Sequence, residues 1–133
     1  MSDISHTLHL FNMVLVLTTG TVTGVWGLIL YFRKLNANRP WRISLTITAI
    51  VGLLQAVLGL WLVFQGYRPT SGGSLYYLHY VYGAIVALGI PVAITYATGG
   101  KNQRRDLLIF SIAALIIAAA GARAMMTGLG IGA

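Results

Sequence analysis

Two histidines, His9 and His79, stand in long apolar stretches of this chain. A neutral imidazole offers one ring nitrogen to a metal. Two imidazoles projecting from facing helices of a bundle can ligate a haem iron from opposite sides. The spacing supports such a pair. His9 lies 24 residues before Arg33 and His79 lies 22 residues before Lys101. With a rise of about 1.5 Å per helical residue, the two depths agree within about 3 Å. His6 is the alternative partner, about 4–5 Å further out and about 60° around the same helix. Were the two helices diagonal in a four-helix bundle, they would be roughly 11–14 Å apart, about the reach of two imidazoles on one iron. Gly83, one turn beyond His79, would leave room for a flat macrocycle. Haem propionates call for cations, and Arg123 and Arg68 are the candidates. An arginine within a membrane segment pairs with an anion or faces a cavity, and its guanidinium can grip a carboxylate through two hydrogen bonds. The competing reading of Arg123 is a side chain that snorkels to the interface.

The elements that must position these residues are read from hydropathy. Of 133 residues, 57% are hydrophobic and only 8% charged, against roughly 25% charged in soluble domains. Four apolar runs, about 8–32, 43–64, 75–97 and 107–127, each approach the roughly 20 residues that cross a bilayer core of about 30 Å as a helix. Helices satisfy their own backbone in lipid, so the expectation is an all-α membrane protein. Short connections then give an up-down-up-down bundle of four transmembrane helices, a single domain over residues 1–133. No cysteine is present, which excludes disulfides, thiolate metal sites and thiol catalysis.

The net charge of +7 is a topology signal. Arg33, Lys34, Arg39 and Arg42 fall in the first connection, and Lys101, Arg104 and Arg105 in the third. Under the positive-inside rule, segments 33–42 and 99–106 are cytoplasmic. Both termini and the connection 65–74 then lie on the outer side of the cell membrane. This placement argues against nucleic acid and for contact with anionic lipid headgroups. Trp41, Tyr67, Tyr76 and Tyr77 would form interfacial belts. Asn36 to Pro40 would break the chain after the first span, and Asp106 would favour the positive start of the fourth helix. Gly20, Gly24 and the stretch Ala118–Ala122 would allow close helix approach. Gln55, inside the second span, would act as interhelical glue.

The segment Leu54-Gln55-Ala56-Val57-Leu58-Gly59, followed after a connection by Leu78-His79, resembles the helix pair in each half of the haem A synthase family. The resemblance implies a b-type haem ligated by His79 and by a histidine opening the first helix, a place that Ser5-His6 or Leu8-His9 would fill. The chain departs from the family in supplying one four-helix half and in lacking a cysteine pair. The acidic residue that precedes the first histidine of the catalytic half is matched only by Asp3. Haem binding therefore transfers more readily than oxygenation of a haem methyl group.

These readings lead to three functional expectations. The first is a small integral-membrane cytochrome b or haem-bearing subunit that transfers electrons near the outer face. The second is a non-catalytic accessory subunit of a larger respiratory or photosynthetic complex, partnered in the bilayer by other membrane subunits or by further copies of itself as a homo-oligomer. Such a subunit would carry no cofactor, or a chlorophyll-type pigment on one histidine. The third is a half-size haem A synthase-like enzyme. Electron transfer or an accessory role is favoured over a stand-alone enzyme, because no acid–base cluster accompanies the histidines.

Overall fold

A computed structural model of the chain describes residues 2–64 and 77–128, with side chains for all of these except 2, 3, 5, 6, 77–79 and 126–128. It contains four helices: α1 (Ser2–Phe32), α2 (Arg39–Phe64), α3 (Tyr77–Tyr96) and α4 (Gln103–Gly128). Three stretches, Thr7–Phe32, Arg39–Phe64 and Gln103–Met125, are long and apolar enough to cross a membrane. The fourth, α3, is apolar and 20 residues long, and it continues through Pro91.

The helices outrun the apolar stretches because caps, not hydropathy, set their ends. Asn38 accepts a hydrogen bond from the Trp41 backbone N–H at 2.9 Å, which starts α2 four residues before the apolar run. Pro40 therefore lies in the first helical turn, where its missing N–H costs nothing, rather than in the connection. Asn102 caps α4 in the same way through the Arg105 N–H. The end of α1 is closed by Lys34 at φ 58°, with Lys34 and Leu35 donating back to the carbonyls of Tyr31 and Leu30. That is a Schellman closure on a residue other than glycine. Asp106 lies in the first turn of α4, as expected, and also reaches back to the preceding connection. Its carboxylate accepts from the backbone N–H groups of Thr98 and Gly100 and from the Thr98 hydroxyl. It thereby ties the α3–α4 connection, in which Gly99 and Gly100 take positive φ.

The helices pack as a ring, α1 on α2 and α4, and α3 on α2 and α4, so that α1 and α3 are diagonal. Small residues set the separations, as expected where lipid and core are equally apolar. A Cβ at Gly20 would lie 3.0 Å from the Ala114 carbonyl, and one at Gly52 would lie 2.7 Å from the Val86 carbonyl. The central core is Met13, Val16, Val86, Ile90, Ile117 and Ala120. A second core of Leu30, Trp41 and Leu107 closes the other end. There Arg104 donates to the Tyr31 carbonyl and lies 4.6 Å over the Tyr31 ring. This contact gathers the first and third connections, and with them the basic residues, at one end of the bundle.

Trp41 corrects the interfacial expectation. It is buried, and its indole N–H donates to the Thr23 carbonyl at 3.0 Å. Gly27 leaves the space: a Cβ there would stand 2.9 Å from the indole nitrogen. Beside it, Thr23, Ser44 and Thr48 share hydroxyl hydrogen bonds between α1 and α2. Trp41→Phe keeps an aromatic side chain but removes the donor. It is expected to lower stability by about 0.6–1.7 kcal/mol, read as a shifted unfolding midpoint of the detergent-solubilised protein.

Candidate functional site

The buried polar groups in the half of the bundle away from the basic end converge on the α1–α2 contact. Asn12, one turn beyond His9, is 4% exposed, and Gln55 is 5% exposed. Asn12 donates one amide hydrogen to the Val51 carbonyl and the other to Gln55 Oε1, both at 2.9 Å. Gln55 Nε2 lies 3.3 Å from His9 Nε2 and 3.6 Å from the sulfur of Met13.

This order has a chemical consequence. The Val51 carbonyl can only accept, so the Asn12 group facing it is the NH2. The Gln55 atom that receives the second Asn12 hydrogen must then be the oxygen. Gln55 therefore turns its NH2 toward His9, and His9 Nε2 accepts. An imidazole that accepts at Nε2 carries its lone pair there, the nitrogen form that a metal ligand offers. The ring edge rests on α2, with His9 Cε1 3.3 Å from where a Gly59 Cβ would stand.

Asn12 was not anticipated from the sequence. Its signal is there nonetheless: an amide side chain three residues after a histidine inside an apolar run repays a hydrogen-bond partner in lipid. Gln55 performs the gluing role expected of it. The coupling between Asn12 and Gln55, measured in a double-mutant cycle with alanine, is expected at about 0.6–1.7 kcal/mol. The imidazole 15N shifts of His9 should report the Nδ1–H tautomer.

The other candidates are distributed as follows. The Arg123 guanidinium lies 5.8 Å over the ring of Tyr82, which brings it to α3 one turn beyond His79. Tyr82 in turn packs on the central core. Gly83 has open space, with nothing within 4 Å of an added Cβ. The side chains of His6, His79, Asp3 and Tyr77, and all of Arg68, Tyr67 and Tyr76, lie outside the described residues. Among the described residues, no three His, Cys, Asp or Glu side chains come together as a metal cage. A two-histidine haem site needs no such group. No protein family, curated protein or solved structure matches this chain.

Proposed function

We propose that the chain is a small integral-membrane b-type haem-binding protein or subunit, with His79 and His9 as the axial pair. The observation that carries this reading is the amide relay from Asn12 through Gln55 to His9 Nε2 inside the bundle. Register supports the partner. Gly52 meets Val86, and the His9 ring meets Gly59. With α2 and α3 running oppositely, seven residues outward from the Gly52–Val86 contact bring Gly59 level with position 79. His9 and His79 then share a depth on diagonal helices, as the sequence spacing implies. The bundle runs up-down-up-down, its basic end is cytoplasmic, and the site lies near the outer face.

The residues present fit the group in three respects. His9 Nε2 faces an amide donor on α2, the space beside Gly83 is open, and Arg123 of α4 lies over Tyr82 of α3. A bound haem supplies one-electron redox chemistry, and the chain supplies ligation, burial and charge pairing. Binding requires His9 to release Gln55, whose amide then remains tied to Asn12 and Met13. The direct test is a reduced-minus-oxidised absorption spectrum of the detergent-purified protein with a pyridine haemochrome assay. Sharp b-type bands at about one haem per chain support the reading. A flat spectrum from protein made with ample haem overturns it.

A second reading, an accessory subunit of a larger membrane complex, is favoured by α2, of whose span only 22% is buried inside the bundle. Val57, Leu60 and Trp61 form an exposed apolar face there, which a neighbouring subunit would cover. An enzyme of the haem A synthase type needs a reactive carboxylate near the haem. Asp106, the acidic residue whose side chain is described, is tied to the loop at the opposite end, which leaves Asp3 for that role.

A further inference from the structure

The α3–α4 contact opens sideways into an apolar groove of about 620 Å³. Its floor is made of Gly89, Ala93 and Ala113, the two alanines being buried. Its rims are larger side chains, among them Leu88 and Ile112, each about half exposed to the surroundings of the bundle. The helices meet closely beneath it: a Cβ at Gly89 would stand 2.5 Å from Ile117 Cγ1.

The polar groups of the groove stand at one end only. Tyr96 and Arg105 line it there, at the end of the bundle where Arg104, the preceding residue, is committed to Tyr31. From Tyr96 the groove runs along α3 to Ala84, about 18 Å at a rise of 1.5 Å per residue. That is roughly one leaflet of a hydrocarbon core of about 30 Å. A partner helix would cross both leaflets and would need a seat over the whole height. A single acyl chain needs one leaflet of depth, an apolar wall and a cation at the headgroup level.

We propose that this groove is a binding site for one anionic phospholipid of the leaflet on the basic side, its acyl chain on the Gly89–Ala93–Ala113 floor and its phosphate on Arg105. Tyr96 sits at the boundary where a phenol meets both headgroup and chain. The site is independent of any cofactor held near His9.

The test is native mass spectrometry of the full chain released from nanodiscs of phosphatidylcholine and phosphatidylglycerol in equal amounts. One retained phosphatidylglycerol is expected, favoured about fivefold over phosphatidylcholine, the effect of a single cation at an anionic headgroup. Arg105→Gln should remove that preference while leaving the fold intact, since Arg105 is exposed. Ile112→Trp, at the exposed rim, should reduce retention of both lipids. Equal retention of the two lipids by the wild-type chain overturns the proposal. So does a lipid-free dimer that Ile112→Trp dissociates, because the groove would then be covered by a second copy.

Discussion

His79→Ala and His9→Ala are each expected to abolish the b-type difference spectrum, while His6→Ala leaves it in place. Second-shell partners of metal ligands typically contribute about 10–100-fold in affinity, and removal of an axial ligand should exceed that range. The experiment discriminates because His9 and His6 are chemically alike but stand at different heights on α1. His9 belongs to an amide relay with Gln55 and Asn12, whereas His6 stands about one turn nearer the terminus. Imidazole added to the buffer should restore the bands in the alanine variants, which separates a missing ligand from a collapsed fold. Gly83→Leu supplies an independent check. An added side chain meets nothing within 4 Å of the first carbon, so the haem-free protein should tolerate it, yet a macrocycle in that space would be displaced. Bands that survive Gly83→Leu unchanged would place the haem elsewhere. Bands lost in His6→Ala but retained in His9→Ala would make His6 the partner.

Gly52→Ala is expected to lower stability by about 1–3 kcal/mol, the usual range for overpacking a filled contact. The new methyl would lie 2.7 Å from the Val86 carbonyl oxygen. A backbone oxygen cannot rotate away as a side chain does, so α2 and α3 must separate. Their contact is the sparsest of the four around the ring, and little else holds it shut. Because Gly52 lies seven residues along α2 from Gly59, the displacement should be felt at the level of His79. Denaturant titration of the haem-free protein measures the packing cost. Haem retention by the same variant shows whether the α2–α3 spacing matters to the site. A midpoint equal to wild type would mean that the contact already has room to give.

The number of helices and their approximate spans were legible because hydropathy over about 20 residues is the dominant signal in a membrane chain. Their ends were not, since Asn38 and Asn102 extend α2 and α4 beyond the apolar runs. Which face of each helix turns inward was harder to read. In a soluble helix the apolar stripe marks the core. In lipid every face is apolar, and that contrast disappears. Small and polar residues carry the information instead. Gly20, Gly24 and the alanines of α4 marked their contacts correctly, and Gln55 marked the α1–α2 seam. Trp41 misled because an aromatic residue beside a basic connection is ordinarily interfacial. Its inward turn depends on the missing side chain at Gly27, on a different helix. Asn12 carried the same information as Gln55 and was overlooked beside the histidine it supports.

Half of the α4 span is buried inside the bundle, against 22% of the α2 span, and α4 makes the most extensive contacts with both of its neighbours. It is also the last of the four helices in chain order. Synthesis proceeds from the N-terminus, so the ribosome delivers the hub of the bundle after the helices that must gather round it. Until then α1 meets α2 along a seam of apolar contacts and hydroxyl and amide hydrogen bonds, and α3 has its sparse seam with α2. The nascent protein therefore spends its insertion as a loosely tethered set of spans. Chains halted before residue 103 lack their organising helix and should be the ones a membrane protease removes.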